Sequence, residues 1–380
     1  VEHIKSKSNF LRGSIVASLA DETTGAIAAD DTQLIKFHGS YQQTDRDLDA
    51  ERKKQKLEPL YSFMIRARVP AGLATADQWL VFDRLADKYA NGTLKLTTRQ
   101  AFQWHGVLKR DLKSTLRGIN ATLMDTIAAC GDVNRNVMAT SNEGLSPLVS
   151  EVAAFAQTIS DHLLPKTTAY HEIWLDKKLL TEGKVDEEPI LGKLYLPRKF
   201  KIALAVPPYN DTDVFANDLG LIAIEEDGKL VGFNVAIGGG MGMTFGNEET
   251  YPRLADVIGY VAKEQALQVI EEVVKVQRDY GNRENRKLSR LKYTLDRLTT
   301  PVFKELVETR SGIQLEAARP YKFEQNGDVF GWRKSVRNKW FLGLFVEHGR
   351  VRDAGNYKLK SALRDLARIK VCDFRLTGNQ

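Results

Sequence analysis

Lys199 and Lys201 open the stretch Arg198-Lys199-Phe200-Lys201-Ile202-Ala203-Leu204-Ala205-Val206. Its alternation predicts a strand over 198–206, with Phe200, Ile202, Leu204 and Val206 on one face and Lys199, Lys201, Ala203 and Ala205 on the other. Two ammonium groups then stand about 7 Å apart, with small alanines beyond them that leave room. Adjacent cations repel, so the pattern suits an anion held against the strand; a sheet edge defended by lysines is the competing reading. Arg99, Gln103 and His105 place cationic and hydrogen-bonding groups in LKLTTRQAFQWHG at 94–106. A third polar cluster is Asn134-Arg135-Asn136. Arg66 and Arg68 share one face of a strand expected over 60–69. Arg283, Arg286 and Arg290 fall at helical spacing, as a solvated basic face or one turned to an anion. Gly238-Gly239-Gly240-Met241-Gly242 follows a strand without the GxGxxG pattern. It reads either as a loop or as backbone brought close to a flat ligand.

Other chemistries lack their residues. The two cysteines, Cys130 and Cys372, are far apart, and the six histidines are scattered, so no zinc or iron–sulfur spacing occurs. No HExxH, GxSxG or P-loop is present. The chain has 380 residues, 43% hydrophobic and 27% charged, with a net charge of +6. That length allows two or three domains, and the modest, interspersed excess suits an anion cleft better than a nucleic-acid tail. No apolar run reaches the roughly 18 residues that span a bilayer, and the first residues lack a signal-peptide core. The expectation is a cytoplasmic protein with no membrane or nucleic-acid partner.

The elements that would position these groups can be read in order. Residues 1–58 read as an arm with little core of its own. Thr75 caps a helix with Gln78 closing the capping box, and Trp79, Phe82, Leu85, Ala86 and Tyr89 form its apolar stripe. Asn91-Gly92 turns into strands at 94–96 and 102–107, and a helix is expected over 112–128. Ser146-Pro147 opens a helix to about 164, and a short strand is expected over 171–175. Strands 219–225 and 229–237 form a hairpin through Asp227-Gly228, followed by a helix over 263–280 with Gly281 in the C′ position. Thr300-Pro301 opens another helix ending near Gly312. A strand over 340–347, a helix over 358–369 and a strand over 371–376 complete the chain. LKLTTRQ at 94–100 is echoed by FRLTGNQ at 374–380, and Ile65 to Gln100 spans the same 35 positions as Phe345 to Gln380. An internal repeat predicts two related modules about a pseudo-two-fold axis.

The stretches SNFLRG at 8–13, FHGSYQQTDRD at 37–47, LTTRQAFQWHG at 96–106, DVNRNV at 132–137, DEEPILG at 186–192, YLPRKFK at 195–201, GFN at 232–234 with GGG at 238–240, and RLKYTLDR at 290–297 together resemble the siroheme nitrite/sulfite reductase family. The resemblance covers nearly the whole chain. It implies an α+β fold: two ferredoxin-like half-modules, at 59–130 and from 321 to 380, flanking a central α/β siroheme-binding domain at 131–320. It implies six-electron reduction of sulfite to sulfide at a siroheme coupled to a [4Fe–4S] cluster, with electrons from an NADPH-oxidising flavoprotein (alpha) subunit. On the matching motifs, Arg66, Arg135, Lys199 and Lys201 would be the substrate cations. Arg99, Gln103, His105, Asn134, Arg198, Gly238, Gly239, Gly240 and Gln380 would contact the siroheme and its carboxylates. Lys95 stands where the family motif has arginine. The family's cluster cysteines, C-x5-C and C-x3-C, follow the second half-module, and this chain carries neither pair. The expectation is a fragment without the cluster ligands, inactive alone. A siroheme nitrite reductase, or a cofactor-free basic binding module, are the alternatives.

Overall fold

The computed structural model describes residues 1–141, 146–167, 169, 174–175, 178–179 and 187–379. The fold is α+β, as expected, and is built on two five-stranded sheets. The first contains β1 (Ser40–Thr44), β2 (Tyr61–Arg66), β3 (Leu94–Leu96) and β4 (Phe102–Val107). Between β2 and β3 lies α1 (Ala76–Tyr89), where Thr75 and Gln78 make the expected reciprocal cap. After β4 comes α2 (Leu112–Asn120).

The second sheet begins with β5 (Met138–Ala139); α3 (Leu148–His162) packs beside it. It continues with β6 (Ile202–Ala205), β7 (Leu219–Glu226), β8 (Lys229–Ile237) and β9 (Asp256–Ala262). Three helices follow: α4 (Lys263–Tyr280), α5 (Leu291–Leu298) and α6 (Thr300–Ser311). The last third holds the ribbon β10 (Gly331–Lys334) and β11 (Trp340–Gly343), then β12 (Arg350–Val351) and α7 (Leu359–Ile369). The first sheet runs β1-β2-β4-β3-β12, antiparallel throughout. The second runs β9-β8-β7-β6-β5, with β6 parallel to both neighbours.

Each sheet has its own core. Trp79, Phe82, Phe102 and Trp104 lie edge to face or tilted in the first, and Phe200, Ile202, Leu204, Phe233 and Val273 fill the second. Asn136 ties the two together. Its carboxamide accepts from Val69 N and donates to the carbonyls of Val69, Arg99 and Gln100, all within 2.8–3.1 Å.

Several expectations are corrected. β6 is an interior strand buried along its whole length, so the defended-edge reading fails. Regular pairing starts only at Ile202; before it, Arg198 lies in a bend and the segment makes a single parallel bridge, Phe200 to Asn134. Residues 1–58 contribute more core than expected: β1 pairs in full register with β2, and Leu34, Ile35 and Phe37 enter the cores. Helix α2 stops at Asn120, where Arg68 N takes the Asp125 carbonyl and Ala128 N binds the Phe37 carbonyl, drawing this backbone away from a helix. Gly281 follows α4 with φ −67°, not left-handed; a Cβ there would lie 2.5 Å from the Gln277 carbonyl oxygen and from Pro197. The basic run 283–290 is no helical face: a 3-10 turn at Arg286–Leu288 breaks it, and each arginine reaches its own carboxylate. The closing strands are short, at 340–343 and 374–375. The strand expected over 171–175 lies mostly outside the described residues, within which Trp174–Leu175 pairs with Lys178–Leu179. Gln380 also lies outside them.

Candidate active site

Four segments converge where the sheets meet: the end of β2, the turn between β3 and β4, the loop 129–136, and the lead into β6. Their meeting is enforced by backbone bonds: Arg135 N to the Phe200 carbonyl at 2.9 Å and Phe200 N to the Val133 carbonyl at 3.0 Å. Arg99 crosses the junction, donating to the carbonyls of Asn136 and Ile202 and to Asn217 Oδ1 at 2.5 Å.

Arg66 is held on both sides of its guanidinium. It donates to Cys130 Sγ at 2.7 Å and to the Ala129 carbonyl at 3.2 Å. Gln103 pairs with it across the strands. In the amide orientation that satisfies both ends, Gln103 accepts from Arg66 Nε at 2.8 Å and donates to His105 Nε2 at 3.1 Å. His105 is thereby an acceptor, in keeping with a pKa pushed down to about 4 by burial and by Arg350, Lys95 and Arg66. Arg135 donates to the same Ala129 carbonyl at 2.8 Å, so Arg66 and Arg135 are clamped to one backbone oxygen.

The cations form one electrostatic set. Lys201 is pushed down to about 7 by burial, then by Arg99 and Arg290. Lys199 is pushed down to about 8 by burial, then by Arg198, Arg290 and Arg135. Arg99 is driven to about 9 by burial, then by Arg135, Arg290 and Arg66, and Arg135 and Arg198 are lowered too, again mainly by burial. Neither lysine side chain makes a hydrogen bond or ion pair to any of the described residues. Two buried carboxylates counter this charge. Asp132 takes Arg286 bidentately at 2.8 Å, and Asp218 takes Arg290 at 2.8 and 3.1 Å. The preponderance of cations is what a site for a multiply charged anion requires.

The structure thus brings together Arg66, Arg99, Gln103, Arg135, Arg198, Lys199 and Lys201. Asn134 is buried beside them, and its Oδ1 has no hydrogen-bond partner among the described residues. The glycines have a partly different explanation. Gly238 has φ +84°, and a Cβ on Gly239 would lie 2.1 Å from the Phe215 carbonyl oxygen, so the protein's own backbone requires both. At Gly240 the nearest contact of a Cβ is Arg290 Nη2 at 3.3 Å. Sequence reasoning missed Tyr41, Cys130, Asp132, Asn217 and Asp218. Burial, and then Cys130, push the Tyr41 phenol up, and Arg135, Arg66 and Arg198 oppose this, so the phenol and thiol stand among the pocket cations. No spacing signal marks any of the five.

The donors fit a flat polycarboxylate macrocycle with a small anion beside it: guanidinium and ammonium groups stand on several sides. They do not fit an iron–sulfur cluster. Such clusters take four thiolates, whereas this chain has two cysteines, one buried and one exposed. Among the described residues no group of His, Cys, Asp and Glu could hold a metal ion.

The chain matches the nitrite/sulfite reductase ferredoxin-like half domain over residues 55–122 and the nitrite and sulphite reductase 4Fe-4S domain over 154–315. The solved Mycobacterium tuberculosis NirA protein shares the fold, with a TM-score of 0.74 over 97% of this chain and 62% of that one, at 22% identity. Over its full length the chain is 59% identical to the sulfite reductase [NADPH] hemoprotein beta-component of Anoxybacillus flavithermus and 58% identical to that of Staphylococcus saprophyticus, covering 67% of each. It belongs to the sulfite reductase hemoprotein beta-component family. No helix among the described residues is long and apolar enough to cross a membrane.

Proposed function

We propose that the junction binds siroheme and that Arg66, Arg135, Lys199 and Lys201 hold sulfite against it for six-electron reduction to sulfide. The observation that carries this is the convergence of four cations from three segments, two of them lysines with no anionic partner among the described residues. Siroheme, when bound, supplies the iron to which the substrate is held and through which electrons arrive. Arg99, Gln103, Asn134 and Arg198 would hold the macrocycle and its carboxylates, with His105 and the glycine run beside them.

The protein's own work is charge and protons. Fixed arginines stabilise an anion without reorganising. Arg66 and Arg135 are pinned through Ala129. Each oxygen lost from sulfur leaves as water and takes two protons. Lys199 and Lys201, at about 8 and 7, can give a proton and regain it near neutral pH, whereas a lysine at its ordinary value could not. This chain's two thiols do not fit a cluster.

The division at 58, 130 and 320 is part of this reading; the two sheets' cores support the boundaries at 130 and 320, while residues 1–58 contribute to both cores. So are a flavoprotein electron donor, in keeping with the relatives' description as the beta-component of an NADPH enzyme, and a cytoplasmic location. The test is a sulfite titration of the siroheme-loaded holoenzyme, followed by its visible absorption. Lys201→Met should weaken sulfite binding at least about tenfold, the loss of one charge-assisted hydrogen bond, with siroheme content unchanged. Unchanged sulfite affinity in this variant sinks the assignment; nitrite binding more tightly than sulfite moves it to nitrite reduction.

A further inference from the structure

Asp218 is fully buried and belongs to no motif that marks the site. Its carboxylate accepts from Lys201 N at 2.9 Å and from Arg290 Nε and Nη2 at 3.1 and 2.8 Å. Its carbonyl accepts from Gly238 N at 2.9 Å. The preceding residue repeats the pattern: Asn217 takes Arg99 on its side chain and Gly239 N on its carbonyl, at 2.5 and 2.9 Å. Two consecutive residues therefore fasten four parts of the site: the lysine stretch, the glycine run, the start of α5 and the β3–β4 turn.

The charge matters as well as the bonds. Asp218 raises the proton affinity of Arg99, Lys199 and Lys201, while Arg290 lowers that of all three. The groups facing Lys201 are Arg99, Arg290, Lys199 and Asp218; those facing Lys199 are Arg198, Arg290, Arg135 and Asp218.

We propose that Asp218, balanced by Arg290, is a positioning residue for sulfite reduction: it fixes the backbone of the lysine pair against the glycine run and offsets the positive charge gathered around both lysines. This rests on the reading of Lys199 and Lys201 as substrate cations. Asp218 touches neither substrate nor cofactor in this role. It acts through Lys201 and through Arg290.

The test sets two substitutions of opposite electrostatic sign in the holoenzyme. Modification of Lys201 by a small amine acylating reagent is followed against pH, peptide by peptide, by mass spectrometry. Asp218→Asn removes the anion and should lower the midpoint by about one pH unit; Arg290→Gln removes a cation and should raise it by a similar amount. Sulfite binding by Asp218→Asn should be several-fold weaker at pH 8 and recover at pH 6, where the lysines regain their protons. A structural role alone predicts no opposed shifts and no recovery. Midpoints that stay put, or move in the same direction, overturn the proposal. If Asp218→Asn does not fold, Arg290→Gln decides: an upward shift supports it and any other result overturns it. Failure of the sulfite reading itself is visible separately, as unchanged sulfite affinity in Lys201→Met, and the opposed shifts do not depend on that result.

Discussion

Arg66 and Arg68 stand two residues apart and serve different ends. Arg66 turns to Cys130, Gln103 and the cation set, whereas Arg68 binds Asp125 with Nε and Nη2 and reaches Asp161 at 3.1 Å and Ser160 at 2.7 Å. Period-two logic puts them on one face; it cannot say that strand β2 ends at Arg66 and that Arg68 is claimed by acids from elsewhere. Arg68→Met should therefore lower stability by about 2 kcal/mol in urea unfolding, less than for a fully enclosed pair because Asp161 is 53% exposed. Sulfite affinity should be unchanged. The lysine pair was legible because two cations at strand spacing are rarely stable without an anion. Asp132 and Asp218 were not, since a counter-charge has no characteristic spacing and is recognised only by what it touches. Arg286 and Arg290 were misread for the same reason: their spacing mimics a helical face, while their carboxylates lie 154 and 72 residues away.

Elements were legible where local chemistry sets them. The capping box at Thr75, the Asp227-Gly228 hairpin and Gly312, in the left-handed region after α6, all stand where expected. Lengths failed where tertiary partners compete for backbone, as at 121–128, where Phe37 and Arg68 take the groups a longer α2 would have used. The position of β6 in its sheet was illegible because alternation reports two faces but not two neighbours. Glycine at 239 belongs to this scale. A methyl group 2.1 Å from the Phe215 carbonyl oxygen must push the β8 exit away from the turn at 214–217. Gly239→Ala should cost about 1–3 kcal/mol of stability and lower the siroheme content of the purified protein. A variant with wild-type melting temperature and full siroheme would contradict this account of the loop.

The whole molecule holds its two repeats together through helices as well as sheets. On α7, Lys360 lies 3.3 Å from Asp83 and Arg364 reaches Asp87 at 2.6 Å, so the repeated helices α1 and α7 are joined by ion pairs. β12 adds to the edge of the first sheet. The repeat was legible as an echo of LTTRQ in LTGNQ, but its use was not: Gln100 binds both backbone groups of Ala139 and so bolts one sheet to the other. Concentrated cations carry a cost for the cofactor-free protein. Lys199 and Lys201 have folded values of about 8 and 7, below the ordinary lysine value. Between pH 7 and that value the unfolded chain binds more protons, so stability rises with pH; below about 7 the penalty is complete. The difference in urea midpoint between pH 6.5 and pH 9 should be smaller in Lys199→Met/Lys201→Met than in the wild type, and an equal difference would show that the pair is not electrostatically frustrated. The central claim is the location of the substrate. A crystal structure of the siroheme-loaded holoenzyme soaked in sulfite, with the sulfur found by its anomalous scattering, tests it most directly. The account predicts sulfite oxygens about 2.7–2.9 Å from nitrogens of Arg66, Arg135, Lys199 and Lys201. Sulfite bound to the siroheme but away from these four side chains would contradict it.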